Sequence, residues 1–166
     1  MQEERALWMQ INRGDSRAFE EIYNAHFARV QNFLRIHLGE ASVIDDVAQE
    51  TFLQFWQRPN GFDPDRANLR AYLFGIARKK AADWWRGQNK TGEAAETLSS
   101  ASDSALLISD ALKRLDPDLR DVLWLREVEG YSYDELAGIL EIPVGTVKSR
   151  LFSAREQLRR VWNSGK

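Results

Sequence analysis

The sequence predicts an all-α protein built from two small helical domains joined by a flexible linker. Apolar residues recur at helical spacing through most of the chain, and no stretch of strict alternation is long enough for a strand. From Gln88 to Ser104 the chain is rich in Gly, Ser, Thr, Ala and acids, with Leu98 as its one large apolar residue, which is a linker composition. The chain's 166 residues suffice for two modest cores, one on either side of it. The expected boundaries are therefore a first domain over 1–88, a linker over 89–104 and a second domain over 105–166. Fully extended, the linker would reach about 55 Å, so the domains need not touch.

The elements follow in order. Asp15 is a good cap for a helix whose apolar stripe is Phe19, Ile22, Tyr23 and Phe27, continuing through Val30, Phe33 and Leu34. Ser42 is the expected cap of the next helix, with its stripe at Ile44, Val47, Ala48, Thr51, Phe52 and Phe55. A turn-rich stretch with two prolines and a glycine runs from Arg58 to Asn68. A third helix starts near Leu69, buries Leu69, Tyr72, Leu73 and Ile76, and is expected to end about Arg86, before Gly87. Beyond the linker, Leu106, Leu107, Ile108, Ala111, Leu112 and Leu115 form another apolar stripe. Asp116 and Pro117 restart the helix as a cap and a first-turn proline, and Leu119, Val122, Leu123 and Leu125 carry it towards Gly130.

Composition removes several function classes. With no cysteine there is no disulfide or thiolate metal site, and two isolated histidines, His26 and His37, read as surface or partly buried helix positions rather than ligands. No metal, cofactor or catalytic residue is expected. No apolar run approaches the roughly 18 residues of a membrane span, and the first residues lack a signal-peptide pattern, so a cytoplasmic protein without membrane insertion is expected. The net charge of −2 argues against a nonspecific nucleic-acid binder, yet the cations cluster. Arg78, Lys79, Lys80, Arg86 and Lys90 form one basic island, and Lys148, Arg150, Arg155, Arg159 and Arg160 another.

The second island lies on a helix-turn-helix. Ser132 and Glu135 have the spacing of a capping box, so a helix starts at Tyr133 and buries Leu136, Ala137 and Leu140. After Pro143 a second helix starts around Val144 to Thr146 and buries Val147, Leu151, Ala154, Leu158 and Val161. Its opposite side carries Lys148, Ser149, Phe152, Arg155, Glu156 and Arg159. A basic, hydroxyl-bearing outer face with an exposed aromatic suits a major groove: Lys148 and Arg155 reach guanine edges or phosphates, Ser149 bonds either, and Phe152 meets a thymine methyl. An ordinary helical hairpin with a solvated basic face would not place Phe152 outside the core stripe.

Two faces of the first domain also stand out. Opposite the core stripe of the Ile44 helix lie Asp46, Glu50, Leu53 and Gln57, flanked by Gln49 and Trp56. Acids around an exposed Leu and Trp suit a basic, partly apolar protein surface. On the Leu69 helix the expected outer face is Phe74, Arg78, Ala81 and Trp85, with Lys79 and Arg86 beside it. Aromatics interleaved with cations make a stacking platform for single-stranded bases. Trp84 and Trp85 are adjacent, so at least one serves a surface.

These motifs together resemble the extracytoplasmic-function sigma factors, the short two-domain specificity subunits of bacterial RNA polymerase. The resemblance is carried by Asp46-Val47-Ala48-Gln49-Glu50-Thr51-Phe52, by Ile76-Ala77-Arg78 and by Pro143-Val144-Gly145-Thr146-Val147-Lys148-Ser149-Arg150-Leu151, in the family's order, from about Gly14 to Arg160. It implies that the first domain is a sigma region 2 bundle and the second a sigma region 4 helix-turn-helix. Asp46, Gln49, Glu50, Leu53 and Trp56 would bind the clamp helices of the polymerase's largest subunit. The Arg58–Asn68 loop and the following helix would melt and hold the −10 element. The residues implied there are Asn60, Phe62, Asp63, Arg66, Asn68, Arg70, Phe74, Arg78, Lys79, Trp85 and Arg86. The loop would take an extruded base. Thr146, Lys148, Ser149, Arg150, Phe152, Ser153 and Arg155 would read the −35 duplex. Implied partners are core RNA polymerase, through the clamp helices and the flap, promoter DNA at −10 and −35, and an anti-sigma factor.

Three residues depart from the family pattern. Lys79 replaces the usual asparagine after Ile-Ala-Arg, Ser153 stands where arginine is common, and Glu141 replaces the usual turn glycine. A non-glycine residue at positive φ costs on the order of 1 kcal/mol. Two other readings are a helix-turn-helix regulator that binds operators without polymerase, and a polymerase adaptor without promoter recognition. The acidic docking helix speaks against the first and the intact recognition face against the second.

Overall fold

The computed structural model describes residues 2–91 and 103–165, with side-chain environments given outside 89–91 and 103–107. The linker reading over 92–102, with Glu93 and Leu98, and the expected burial of Leu106 and Leu107 lie outside the described residues. Among the described residues the fold is entirely helical: α1 (Gln2–Asn12), α2 (Ser16–Arg35), α3 (Ala41–Gln57), a 3-10 turn (Pro59–Gly61), α4 (Leu69–Thr91), α5 (Asp103–Lys113), α6 (Pro117–Glu127), α7 (Tyr133–Leu140) and α8 (Val144–Ser164).

Local chemistry sets the helix ends. The Asp15 carboxylate accepts from the backbone amides of Arg17 and Ala18, which satisfies two otherwise orphaned donors of α2. The capping box of α7 is complete: Ser132 Oγ accepts from the Glu135 amide at 3.1 Å, and Glu135 Oε2 accepts from the Ser132 amide at 2.8 Å. Pro117 opens α6 after Asp116, whose side chain makes no capping bond. Glu141 ends α7 in the left-handed region at φ 57°, the strained turn that the resemblance implied.

Two boundaries differ from expectation. α3 starts two residues early, with Glu40 at the cap position. Ser42 is not the cap and its hydroxyl instead donates to Glu40 at 3.0 Å. α4 runs through Gly87 to Thr91 rather than stopping at Arg86. One interior glycine costs about 1 kcal/mol, which the surrounding helix formers absorb. α1 lies beyond the sequence expectations altogether.

In the first half, α2, α3 and α4 bury Ile22, Val30, Phe33, Leu34, Val47, Phe52, Phe55, Leu69 and Leu73, and α1 adds Ile11. In the second half, α6, α7 and α8 close over Val122, Leu125, Leu136, Val147, Leu151 and Ala154. Leu158 and Val161, expected inside, are half-buried, and Ile139 is more deeply buried than Ala137. The two halves meet in one continuous apolar cluster. α4 lies against α7, and Gly75 brings its backbone close to the Ile139 carbonyl.

Polar contacts lock that junction. His37, just beyond α2, places Nε2 2.6 Å from Asp121 Oδ1 of α6, with both side chains almost fully buried. Both histidines are thus deeper than their sequence reading: His37 sits in this junction and His26 under α1, at 6% and 8% exposure. Arg120 Nη1 donates to the Ile36 carbonyl at 3.2 Å, and burial pulls its guanidinium down against the upward pull of Asp121 and Asp116. The buried carboxylate of Glu129 faces Arg29 at 3.0 Å and Arg70 at 3.7 Å. A buried acid between two cations is the arrangement that offsets its own desolvation.

Candidate nucleic-acid interface

The C-terminal head is built from α7, the tight turn and α8. Val147, Leu151 and Ala154 turn inward on α6 and α7, which forces the residues one position along the helix outward. Lys148, Ser149, Phe152, Ser153 and Arg155 are exposed, and Phe152 is 69% exposed, the highest of the large apolar side chains described. Arg155 is engaged by Glu127 at 2.7 Å, and that bond holds its guanidinium above its ordinary range. Ser149 Oγ donates to the Thr146 carbonyl. Thr146 and Arg150 are half-buried, and Arg150 faces Asp118 at 3.8 Å, so Arg150 lies at the edge of the face rather than on it.

The N-terminal face is different. A cleft of about 710 Å³ runs between the 64–68 segment, one side of α4 and the outer side of α7. Arg66, Asn68, Lys79 and Lys80 line one wall, and Glu135 and Glu141 the other. Glu141 lies 3.5 Å from Lys79, so a carboxylate of the second half is paired with this cation. Asn60, Asp63, Arg66, Lys79, Trp85 and Arg86 are exposed, of which Arg66 and Lys79 line the cleft, and Arg86 is paired to Asp83.

Several expected contact residues are not on this surface. Phe74 is fully buried against Phe33 and Tyr131, and Ala81 is buried, so the expected outer face of α4 is in large part an inner one. Phe62 is 4% exposed, wedged between Trp8 and Tyr72. For Phe74 and Ala81 the reason is that α4 carries apolar residues on more than one side, so packing rather than a single stripe decides which face is covered. Arg70 is half-buried and donates to the Tyr131 hydroxyl at 3.0 Å. Burial pulls the Arg70 guanidinium down, but Tyr131, Glu129 and Glu4 together hold it up. Burial pushes the Tyr131 hydroxyl up. Arg78 is half-buried with its Nε enclosed, and Asn68 spends its side-chain oxygen on the Ala71 amide at the start of α4. Of the tryptophan pair, Trp84 packs against the core. Trp85 stays partly exposed and donates to the His37 carbonyl.

On the remaining face, α3 presents Asp46, Gln49, Glu50 and Leu53 to solvent, with Leu53 half exposed. They border a groove of about 600 Å³ whose floor is Phe19, Tyr23, Phe52 and Trp56. Trp56 lies 5.0 Å from the Phe19 ring. Phe19 and Tyr23 went unassigned in the sequence because they read as core stripe, and only the α2–α3 packing shows that their edges form this floor.

Known proteins match this arrangement along the whole chain. Residues 22–91 match the family described as sigma-70 region 2, and residues 105–158 match sigma-70 region 4. The RNA polymerase sigma-H factor of Pseudomonas aeruginosa is 28% identical, over 95% of this chain and 92% of its own length. The chain belongs to the extracytoplasmic-function sigma factors. The ECF RNA polymerase sigma-E factor of Haemophilus influenzae is 27% identical, with 93% of each chain covered. CnrH, solved in complex with the cytosolic domain of CnrY, superposes with a TM-score of 0.79 at 28% identity, covering 99% of each chain. A sigma factor binds core RNA polymerase and directs it to specific promoters, and this is the function of the chain. The region 2 match is the element that an operator-binding regulator would not have. Sigma factors are initiation factors rather than enzymes. No described helix is long and apolar enough to cross a membrane.

Proposed function

We propose that the sigma factor divides its work over three surfaces: residues 1–88 dock on core polymerase and open the −10 element, 105–166 read the −35 duplex, and 89–104 connect them. The observation that carries this assignment is the half-exposed Leu53 among Asp46, Gln49 and Glu50, bordering an aromatic-floored groove. An apolar anchor in an acidic rim is how a helix face holds a basic, partly apolar partner helix. The clamp helices of the largest subunit are that partner.

For the −35 element, Lys148, Ser149, Phe152, Ser153 and Arg155 enter the major groove, with Thr146 and Arg150 on the backbone at its edge. For the −10 element, Asn60, Asp63, Arg66, Asn68, Lys79, Trp85 and Arg86 supply the contacts. Arg70 and Arg78 join them when the second half moves off α4, while Phe62 and Phe74 support the surface from inside. The packed arrangement is thus a closed state whose −10 cleft is roofed by Glu135 and Glu141. Polymerase supplies the opening by holding the two halves at the promoter spacing, and it alone does the chemistry. An anti-sigma factor is a further proposed partner, consistent with CnrH having been solved with a second protein bound. The test is runoff transcription by core polymerase on a randomised promoter library, with and without this protein. Enrichment of a two-element promoter only in its presence is expected, and no enrichment would overturn the assignment.

A further inference from the structure

The helix α1 lies outside the segment that matches region 2, which begins at residue 22, yet it grips the one irregular loop of the first half. Three contacts hold it there. Trp8 Nε1 donates to the Pro59 carbonyl at 2.8 Å, shorter than the 3.3 Å bond that the same carbonyl accepts from the Phe62 amide inside the 3-10 turn. The Trp8 ring meets Phe62 edge-on, at 6.0 Å and 84°. Arg5 reaches Asp65 at 2.9 Å on the far side of Phe62. Phe62 is thereby pinned between Trp8 and Tyr72, and the loop on either side of the pin presents Asn60 and Arg66 to solvent. Gly61 is fitted so closely that a Cβ there would lie 2.6 Å from the Tyr72 hydroxyl.

We propose that α1 is a positioning element for −10 recognition: Trp8, helped by Arg5, sets the conformation in which the 58–68 loop reads its base. This rests on the assignment of that loop to the −10 element. The physical reason is entropic. A loop with one 3-10 turn and one aspartate-capped turn has few bonds of its own, and selectivity for a flipped base needs its donors held in place before the base arrives. Because the Trp8 bond is partly buried while the Arg5 pair is exposed, Trp8 carries most of the effect.

The test uses full-length protein with core polymerase and a two-element promoter selected from a randomised library, each −10 base being varied in turn. Trp8→Phe keeps an aromatic ring against Phe62 and removes the N–H together with part of the indole. It is expected to leave polymerase capture and −35 discrimination unchanged while lowering base discrimination in open-complex formation at the −10 element roughly fivefold, the worth of one hydrogen bond. Arg5→Glu, at an exposed site with little consequence for folding, is expected to lower it about twofold, with recovery in Arg5→Glu/Asp65→Arg. A uniform loss on all promoters in Trp8→Phe would assign Trp8 a merely structural role and overturn the proposal. Unchanged discrimination in both Trp8→Phe and Arg5→Glu, with Asn60→Ala or Arg66→Ala still altering it, would overturn the role of α1 and leave the loop assignment standing. If Asn60→Ala and Arg66→Ala are also silent, the loop does not read the −10 element and both ideas fail.

Discussion

The two proposed reading heads of this sigma factor differ in what covers them. On α8 the outer face is open, and Phe152 and Lys148 face solvent with nothing from the first half against them. On α4 and its loop, the corresponding surface is partly roofed by α7 and the residues flanking it, with Glu141 on Lys79, Glu129 by Arg70 and Tyr131 edge-on to Phe74. The helix that supports the −35 head from behind is therefore the one that obstructs the −10 head. A duplex reader loses nothing by being displayed, whereas an exposed cation and aromatic surface for single strands would bind any unpaired nucleic acid. On the proposed division of surfaces, closure would restrict that activity to the polymerase-bound state.

The largest expected effect comes from unlocking the junction. His37→Ala leaves the Asp121 carboxylate buried without its partner, a cost of about 1–3 kcal/mol that separation of the halves relieves. The free variant is expected to bind single-stranded −10 DNA between roughly 5- and 150-fold more tightly than the parent. Its affinity for −35 duplex should stay the same, and small-angle scattering should show an expanded particle. Equal single-strand affinity in variant and parent would mean that α7 does not obstruct the −10 head.

A somewhat smaller effect is expected at the docking groove, which, like the −35 head, is open in the closed state. Leu53→Asp places a charge in the centre of an apolar contact, and Glu50→Arg reverses its rim. Each should weaken capture of core polymerase by about 2 kcal/mol or more while leaving thermal melts cooperative. Capture at parental strength by both would place the docking face elsewhere.

At the open head, Phe152→Ala and Lys148→Ala should each cost about 1–3 kcal/mol in use of the −35 element, read as transcription from promoters with and without it. Polymerase capture is the control and should not move. If −10 discrimination falls equally, the two heads are not separable in the way their exposure suggests.

The smallest effect concerns how α1 is seated. His26 lies beneath it with Nε2 3.1 Å from Glu4, and burial lowers the pKa of its ring below the ordinary value despite the upward pull of Glu4, with Arg70 and Arg29 adding to the lowering. A histidine whose folded pKa is lowered contributes stability above the unfolded value, about 6.5, and loses it as pH falls through that value towards the folded one. The melting temperature should therefore drop more steeply from pH 8 to pH 5 in the parent than in His26→Gln. Parallel profiles would show that His26 does not titrate differently on folding.

By itself the sequence determined what is decided within a few residues. The Asp15 cap, the Ser132–Glu135 box and the proline start of α6 all appear where side-chain chemistry demanded, because caps are satisfied by near neighbours, while the positive φ at Glu141 was implied by the resemblance. The stripe of α3 was equally legible, because it is apolar on one side only, and so the face with Leu53 and Glu50 follows from helical geometry. The outer face of α8 follows in the same way. Tertiary structure decided the rest. Phe74 and Ala81 are turned inward because α4 carries apolar residues on more than one side and its neighbours choose which is covered, and Phe62 because Trp8 and Tyr72 close over it. The seat of α1 on the loop joins residues about fifty or more apart, and His37 meets Asp121 across 84. No periodicity within one helix encodes such pairings, since they depend on how separate amphipathic elements pack, and it is that packing that closes one head and leaves the other open.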